Sequence, residues 1–525
     1  MKKKYITKLM IAACLSSALS LNSCIEEVFP ESSTATIDQI GKSDQAISAM
    51  VNSVVAFINA FRSYGPQFYH DFGYSGYNLI RESACEDFFC HEPKFDFFDT
   101  YGVCNDLGDA DVVNTIWYYN YKFLNNVNNA LSALEKADDA PENKYYKGIC
   151  LSYRAMIYMD LVRMYEYKKT GVEKLDAEAA SKNLYGITVP IITAETTEEE
   201  EGRNNPRAPF YAVYKFILDD LASAEELLSD YQRPTKNLPC TPVVHGLMAR
   251  MWLEMGSRFE LYPEDLNTLN NNTDLNIASK ETCFTKAAEY ARKVINESGA
   301  MPLTEKEWFG GDSYTTGFNS VLTNSWVWGS IMTTEDVHSY WLNFAGSMCP
   351  EQTFGYGNRK WQGYKLIGRK LFDQIPNADW RKTTWIAPED AHKAPGTKYR
   401  TLLTDDDFAD MPPYTGIKFR PKNGEMNDYT IGAAVDYPLM RIEEMYLIEA
   451  EAIGMSQGLA AGISKLEDFV NTFRYNTSVG SYTCKVNDLK EFQKKVVEQK
   501  RIEFWGEGII FWDYKRLELQ VVRGY

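Results

Sequence analysis

Apolar residues recur every three or four positions along most of the first 300 residues, and this spacing is typical of helices with one buried face. Phe210, Val213, Ile217, Leu221 and Ala224 show the pattern clearly. The same periodicity predicts helices at about residues 38–62, 112–136, 143–168, 210–228, 240–256, 281–298, 436–456, 461–475 and 487–505. The alternation that is typical of strands is rare, so the pattern predicts a mainly α fold.

Several predicted helices follow one another after short turns, as antiparallel pairs do. The helix at 112–136 is followed by Pro141 and Glu142 and then by the helix at 143–168. A helix-turn-helix unit of about 34 residues has the size of a tetratricopeptide repeat. From 299 to 435 the periodicity is lost, and Gly, Pro, Asn, Thr and Trp become frequent. Irregular segments of this length are usually functional, so we expect a binding region there.

The N-terminus has the features of a bacterial secretion signal. The basic start MKKKYITK precedes the apolar run Leu9–Leu21, which is shorter than the ~20 residues that span a bilayer. The sequence LNSC that ends at Cys24 resembles a lipobox, so we predict a signal peptide at 1–23 and lipidation of Cys24. The alternative is ordinary cleavage, which leaves Cys24 as the first residue of a loop. Glu26 and Glu27 resemble the surface-export signals of Bacteroidota lipoproteins, which predicts the outer face of the outer membrane.

The composition is that of a globular protein with many rings. Of 525 residues, 45% are hydrophobic, 14% aromatic and 24% charged, which excludes disordered, collagen-like and coiled-coil classes. The formal net charge of −17 repels phosphate backbones, so nucleic acid is excluded as a partner. No stretch after the signal reaches ~18 uninterrupted apolar residues, and the lipid is therefore the expected membrane contact.

Sequence motifs for catalysis are absent. GYSGY at Gly73–Tyr77 and GDSYT at Gly311–Thr315 each lack the final Gly of a G-x-S-x-G nucleophile elbow. The sequence contains no P-loop, HExxH or dinucleotide fingerprint, and none of its five His residues lie at i, i+4 spacing. Two carboxylates that meet only on folding leave no local signature, so a glycosidase stays open as a rival. We otherwise expect no enzyme and no cofactor.

The sequence also contains no group of candidate metal ligands with a recognisable spacing. Cys85, Cys90 and His91 lie close together beside two acidic residues, but their spacing matches no zinc site. We interpret the cysteines as buried thiols or an incidental disulfide, since disulfide scaffolds are short and rich in Cys. The acidic runs at 198–201 and 405–407 match no EF-hand, and we expect them to be solvated. No metal site is predicted.

Rings are concentrated in the irregular segment. Thirteen of the 60 residues from Glu305 to Tyr364 are Phe, Tyr or Trp, including five of the 11 Trp, and they lie among Gly and Asn rather than at helical spacing. Flat ring faces bordered by hydrogen-bonding groups suit sugars, although core packing is the alternative for any single ring. The predicted ligand-binding residues are Trp308, Trp326, Trp328, Trp341 and Trp361, with Tyr77 from the ring-rich segment 61–101.

Two C-terminal motifs carry a resemblance to a known family. KRIEFWGEGIIFWDYKR at Lys500–Arg516 and PLMRIEEMYLIEAEA at Pro438–Ala452 are similar to two helices of the SusD/RagB family of surface nutrient-binding lipoproteins. The positions of the first motif that match the family are Arg501, Glu503, Glu507, Gly508, Asp513 and Arg516. Ile510 departs from the pattern, which commonly has a basic residue there. Less specific matches in the family order cover most of the chain.

The resemblance implies a right-handed α-helical superstructure of four tetratricopeptide-like pairs that supports an irregular binding region. It divides the chain into a signal peptide at 1–23, helical regions at 24–300 and 436–525, and an aromatic-rich segment at 301–435. It also implies a binding protein that passes an oligosaccharide to a SusC-like TonB-dependent transporter. The rivals are a binding protein for peptides or other non-glycan nutrients, as in the RagB branch, and a surface glycoside hydrolase.

The charged residues of the first motif allow two interpretations. Glu503 and Glu507 share a helix face, as a catalytic carboxylate pair does. Acids interleaved with Arg501 and Arg516 among rings instead indicate an ion-pair lattice that fixes helix packing, and we predict this structural role. Relatives continue beyond the position of Tyr525, so we expect the C-terminal region to be either truncated or able to function without that tail.

Overall fold

The computed structural model describes residues 36–62, 70–92, 98, 111–196 and 205–523. Its helices are α1 Ile37–Gly41, α2 Asp44–Ala56, α3 Tyr74–Ser83, α4 Asp111–Glu135, α5 Pro141–Tyr165, α6 Glu173–Ser181, α7 Phe210–Leu227, α8 Thr241–Leu261, α9 Pro263–Asn272, α10 Lys280–Glu297, α11 Glu305–Trp308, α12 Phe344–Met348, α13 Arg369–Gln374, α14 Asp405–Ala409, α15 Tyr429–Gly432, α16 Ile442–Gln457, α17 Leu459–Phe473, α18 Leu489–Glu503 and α19 Ile510–Arg516. Its strands are β1 Phe88–Cys90, β2 Trp326–Ser330, β3 Lys365–Ile367 and β4 Tyr437–Arg441. Its 3₁₀ turns are Phe57–Asn59, Trp380–Thr384 and Lys422–Gly424.

The long helices pack as successive pairs. A short connection joins α4 to α5, which packs back against α4 and also against α7. Further along the chain, α8 packs against α10, α10 against α16, and α16 against α17. The predicted fold class, a mainly α protein built from tetratricopeptide-like helix pairs, is confirmed.

Local sequence explains where the helices begin. Pro141 and Pro263 occupy the first turns of α5 and α9, where a backbone N–H has no partner within the helix. The side chains of Ser279 and Asp488 accept backbone hydrogen bonds at the starts of α10 and α18. The observed bounds of α4, α5, α7, α10, α17 and α18 agree with the hydrophobic periodicity to within a few residues.

Two predicted helices need correction. The segment predicted as one helix at 38–62 is two helices and a 3₁₀ turn, because Ser43 caps α2 by accepting a hydrogen bond from the N–H of Ala46. The helix predicted at 436–456 begins only at Ile442, after β4. All five residues of β4 are buried, Arg441 included, so the strand shows no alternation of apolar and polar positions that would distinguish it from a helix.

The irregular segment is tied to the helices by small antiparallel sheets and by a shared core. β2 pairs with β4, and β1 pairs with β3. The largest apolar cluster runs from the paired helices into the irregular segment, where it includes Trp308, Trp328 and Trp385. The long ring-rich segment is therefore packed into the protein over much of its length.

Eight buried charged side chains form what we call the charge lattice. Its members are the cations Arg381, Lys418, Arg441 and Arg474 and the carboxylates Asp379, Glu443, Glu503 and Glu507. None of them is more than 2% exposed. The lattice has equal numbers of positive and negative groups, and its members come from β4, the start of α16, the ends of α17 and α18, the turn after α18 and the irregular segment.

Glu503 lies at the centre of the lattice. Its carboxylate accepts hydrogen bonds from Arg474 Nε at 2.8 Å, Arg381 Nη1 at 2.9 Å and Arg441 Nη1 at 3.1 Å. Burial by itself raises the pKa of this carboxyl, but the three guanidinium groups outweigh burial and hold the pKa well below its ordinary value. Glu503 is therefore a permanent anion that fixes three cations around it.

Glu507 joins Lys418 to Arg441 within the lattice. Its carboxylate accepts hydrogen bonds from Lys418 Nζ at 2.6 Å and from Arg441 Nε and Nη2, both at 2.9 Å. The Lys418 ammonium also donates to the backbone carbonyls of Glu503 and Trp505, each at 2.9 Å. The structural role predicted for the motif is confirmed by these contacts.

Replacing Glu507 by Ala should destabilise the fold strongly, because it leaves Lys418 and Arg441 buried with fewer anionic partners. The expected loss is about 3–5 kcal/mol of unfolding free energy. Asp513→Ala should behave similarly, since Asp513 accepts from Lys500 Nζ at 2.8 Å and Arg516 Nε at 2.9 Å in the core. Thermal and denaturant melting of the purified variants measures the effect.

Glu178→Ala is the matched control, since Glu178 pairs with Lys182 on the surface, where the two side chains are 54% and 59% exposed. This variant should melt at the wild-type temperature. Wild-type melting of Glu507→Ala combined with loss of ligand binding would show that the motif belongs to a binding site.

Lys418 should give the stability a specific pH dependence. Burial lowers the pKa of Lys418 from 10.5 to about 8, despite the opposing effect of Glu507. Between these two values the unfolded chain binds the proton and the folded chain does not, so this residue makes stability rise with pH. The melting temperature of wild type relative to Lys418→Met should therefore increase between about pH 8 and pH 10. A constant difference across that range contradicts the assignment.

Candidate ligand-binding surface

Four of the six predicted ligand-binding residues lie in the core. Trp308, Trp326 and Trp328 have no exposed surface, and Tyr77 is 1% exposed. Trp308 Nε1 donates to Thr384 Oγ1 at 3.0 Å, and Tyr77 packs on other buried rings. None of these four rings has a free face, so we do not propose them as ligand-binding residues. Burial on both sides of a ring depends on tertiary contacts that a ring-rich sequence does not reveal.

The other two predicted residues, Trp341 and Trp361, lie together in a half-buried group of rings. Their ring centroids are 5.2 Å apart in an edge-to-face arrangement. Tyr356 stacks on Trp341 at 5.0 Å with an interplanar angle of 23°, and Tyr340 meets Trp341 edge to face at 4.7 Å. We call Tyr340, Trp341, Tyr356 and Trp361 the ring platform.

A single buried amide shapes the loop that carries half of the platform. Asn358 is 1% exposed, and its Oδ1 accepts from the backbone N–H groups of Lys360 at 2.9 Å and Trp361 at 3.3 Å. Its Nδ2 donates to the carbonyls of Phe354 and Gly355, both at 3.0 Å. The loop from 354 to 361 is therefore closed on itself around one side chain.

Close backbone contact holds this loop against the segment that carries Trp341. Gly355 has φ of +69°, and a Cβ atom at this position would lie 2.4 Å from backbone atoms of Gly346. Gly357 N–H donates to the carbonyl of Gly346 at 2.8 Å. The side-chain oxygen of Ser339 accepts a hydrogen bond from the backbone N–H of Trp341 at 3.2 Å. Both halves of the platform thus rest on fixed backbone.

Charged groups border the platform. Arg359 and Asp407 form an ion pair whose side chains are 36% and 30% exposed. The Lys360 ammonium lies 5.6 Å from the centroid of the Trp361 ring. No sequence pattern points to Tyr356, Asn358 or Arg359 individually, although they lie within the ring-rich segment. The site thus combines partly exposed rings with adjacent donors and acceptors.

The catalytic interpretation of the C-terminal motif finds no support in the geometry. Glu503 is 0% exposed and Glu507 is 2% exposed, and cations of the charge lattice occupy both carboxylates. Asp407, at the edge of the platform, is paired with Arg359. None of these carboxylates is free to act on a substrate at the platform.

The candidate metal ligands are engaged in other contacts. The acidic neighbours of Cys85 both bind Arg501, whose Nη2 lies 2.7 Å from Glu86 Oε1 and whose Nε lies 2.5 Å from Asp87 Oδ2. Within the described ranges, no three His, Cys, Asp or Glu residues are grouped to hold a metal ion, and the seven cysteines found there are free thiols. Cys24 and the acidic run at 198–201 lie outside the described residues.

The fold and the platform define a helical-repeat protein with a ring-lined surface on an irregular segment. Residues 49–253 match a family model described as SusD-like, "Starch-binding associating with outer membrane". Residues 305–524 match the model of the SusD family. The chain belongs to the SusD/RagB family. A search of curated protein sequences found no match.

Solved structures share the fold. A SusD-like carbohydrate binding protein from Bacteroides vulgatus is 20% identical with a TM-score of 0.67, over 92% of this chain and 85% of that one. A laminarin binding SusD-like protein is 16% identical with a TM-score of 0.61, over 91% and 92%. Surface glycan-binding protein A from Bacteroides thetaiotaomicron, in complex with laminarihexaose, is 13% identical with a TM-score of 0.57, over 90% of each chain. At these identities the likeness concerns the fold alone.

Trp→Ala variants should separate the core rings from the platform rings. Trp328→Ala should lose about 3–5 kcal/mol of folding free energy, because it empties a buried site. Trp341→Ala should lose much less, since the ring is half-buried and solvent can fill part of the space. Denaturant melting measures both. Equal losses at the two positions contradict the division into core and platform.

Proposed function

We propose that this protein is a surface lipoprotein that binds an oligosaccharide and passes it to a SusC-like TonB-dependent transporter. The observation that carries the proposal is the ring platform, which holds two Trp and two Tyr rings half-buried, with Tyr356 and Trp361 on a loop fixed by Asn358. The family supports a nutrient-binding role, and the chemistry of the platform supports a sugar as the nutrient.

Sugars fit the platform for two reasons. Their C–H faces stack on aromatic rings, and their hydroxyls need hydrogen-bonding groups at the edge of the rings. Arg359, Asp407 and Lys360 supply such groups around Trp361. The solved relatives named for laminarin and laminarihexaose make a β-glucan oligosaccharide the first probe to use. A peptide or another non-glycan nutrient is the second candidate, favoured only by the RagB branch of the family.

A binding role without catalysis agrees with the carboxylates that the structure describes. Glu503 and Glu507, the pair that the sequence offers for acid/base chemistry, are buried among cations. Asp407, which lies beside Arg359 of the platform loop, is paired with that arginine. We therefore propose a protein that holds its ligand unchanged.

The location belongs to the same proposal. The signal at 1–23 and the lipobox at Cys24 support anchoring through lipid, and Glu26 and Glu27 support display on the cell surface. In the ranges that the structure covers, the helices are too short or too polar to cross a bilayer. We propose the SusC-like transporter as the partner because the C-terminal motifs resemble those of the SusD/RagB family.

Loss of a platform ring should weaken glycan binding without unfolding the protein. Trp341→Ala and Trp361→Ala should each cost about 2 kcal/mol of binding free energy, which is roughly thirtyfold in affinity. Calorimetric titration with laminarihexaose and with a panel of α- and β-linked oligosaccharides measures the loss, and melting curves check the fold.

Tyr145→Ala is the matched control, because Tyr145 is a half-buried ring paired with Tyr231 at 4.9 Å on the helical region. Its affinity should equal that of wild type. Full glycan affinity in both Trp variants rules out the platform as the site. Binding of peptides but not of any glycan supports the second candidate, and turnover of a glycan in the panel rules out a pure binding role.

The anchoring proposal predicts the behaviour of N-terminal variants. Cys24→Ala should release the protein from membranes or block its processing, and Glu26→Ala combined with Glu27→Ala should retain it on the periplasmic side. Protease treatment of intact cells, followed by blotting, measures surface exposure. A wild-type protein that resists the protease on intact cells contradicts display on the surface.

A further inference from the structure

A cavity of about 420 Å³ opens on the helical region, and it shares no lining residue with the ring platform. It lies between the end of α5, the turn before α7, the end of α8 and the start of α9. Its lining includes the rings of Phe210 and of Tyr167, Tyr185, Tyr211 and Tyr262, and we call it the tyrosine cleft. Its volume falls in the range of about 300–1,000 Å³ that is usual for small-ligand sites. We propose that the tyrosine cleft is a second saccharide-binding site, an inference that rests on the proposed glycan-binding function.

At the floor of the cleft, the buried charge of Arg258 is already paired with carboxylates. Arg258 is 6% exposed, and its Nη1 donates to Glu166 Oε1 at 2.5 Å while its Nε donates to Asp265 Oδ2 at 2.8 Å. Its guanidinium lies 3.7 Å from the centroid of the Phe210 ring. The buried cation therefore has its counterions, and the cleft has no need of an anionic ligand.

The walls of the cleft are fixed by backbone hydrogen bonds. Phe210 N–H donates to the carbonyl of Gly186 at 2.7 Å, and Gly186 N–H donates to the carbonyl of Tyr167 at 3.1 Å. Gly186 has φ of +74°, and a Cβ atom there would lie 3.1 Å from the Phe210 ring. The cleft is thus preformed, which reduces the entropy lost on binding.

Two of the four tyrosines have hydroxyls available for a ligand. Tyr262 Oη donates to Glu518, and Tyr185 Oη donates to the carbonyl of Asp176 at 2.9 Å. In the described part of the chain, the hydroxyls of Tyr167 and Tyr211 have no hydrogen-bond partner. Tyr167 is 39% exposed and Tyr211 is half-buried, so both rings present surface to the cleft.

The charges around the cleft favour a neutral ligand. Three carboxylates and three cations line it, namely Glu166, Glu264, Asp265, Lys168, Lys169 and Arg258. This balance gives phosphate or a polyanion no net electrostatic attraction. A sugar ring, in contrast, uses aromatic faces together with both hydrogen-bond donors and acceptors. Rings, two available hydroxyls and balanced charge together indicate a neutral saccharide.

Calorimetric titrations with the same oligosaccharide panel test the proposal through stoichiometry. Wild type should bind two molecules of a short oligosaccharide. A Trp341→Ala, Trp361→Ala double variant should keep the cleft site, with the affinity that this site has in wild type. A Tyr167→Ala, Tyr211→Ala double variant should lose the cleft site, with at least a tenfold lower affinity there. Because both tyrosines are partly exposed, its melting temperature should stay close to that of wild type, and Tyr145→Ala should change neither site.

Tyr167→Phe and Tyr211→Phe, which keep the rings, should each weaken the cleft site, and they test it even if the Ala variant unfolds. A single site that the platform variants abolish and the cleft variants leave unchanged overturns this inference while the proposed function stands. Cleft variants that lose peptide binding but keep two glycan sites also overturn it. A wild-type protein that binds no glycan in the panel overturns both.

Discussion

Burying eight charged side chains in one core is the constraint on which the rest of the structure depends. A buried ion costs several kcal/mol unless it meets a counterion with good geometry. Glu503 satisfies this condition by accepting from three guanidinium groups, and Glu507 by joining Lys418 to Arg441. The cost of leaving any one of them unpaired means that β4, α16, α17, α18 and the irregular segment must meet in one arrangement. The charge lattice therefore specifies how the helical pairs and the irregular segment fit together.

The ring platform lies on the irregular segment that the lattice joins to the helices, and local contacts make it rigid. Strand β4, which carries Arg441 of the lattice, pairs with β2 of the irregular segment, and every residue of both strands is buried. The loop around Asn358 and the close approach of Gly355 to Gly346 then hold Trp341 and Trp361 without help from a ligand. A preorganised surface loses less entropy on binding, which suits a protein that must capture dilute nutrient. The lattice thus stabilises the fold, and the platform is the proposed ligand-binding surface.

Much of the helical scaffold could be predicted from the sequence, because a helix with one buried face must repeat its apolar positions. β4 could not, since all five of its residues are buried and leave no period to detect. The structural role of Glu503 was visible in the alternation of acids and Arg along its motif. Its partner Arg381 lies 122 residues away, and no local pattern connects the two.

The site was predicted only in outline for a related reason. Trp328 and Trp341 occur in the same ring-rich segment, yet one is fully buried and the other half-exposed, because tertiary contacts decide which side of each ring is covered. A lone Asn among glycines, such as Asn358, carries no signal until its four hydrogen bonds are seen. The division of the chain at 300 and 435 and the lipid at Cys24 stay predictions.

A crystal structure of the protein with bound laminarihexaose, or with the tightest oligosaccharide of the panel, would show whether the ring platform binds the ligand. If the ring platform is the binding site, a sugar ring should stack on Trp341 or Trp361, with its hydroxyls within hydrogen-bond distance of the groups around Arg359. The platform side chains should occupy the same positions with and without ligand. A glycan bound only at another surface, or platform rings that take up their positions only when the ligand is present, would contradict a preorganised ring platform as the binding site.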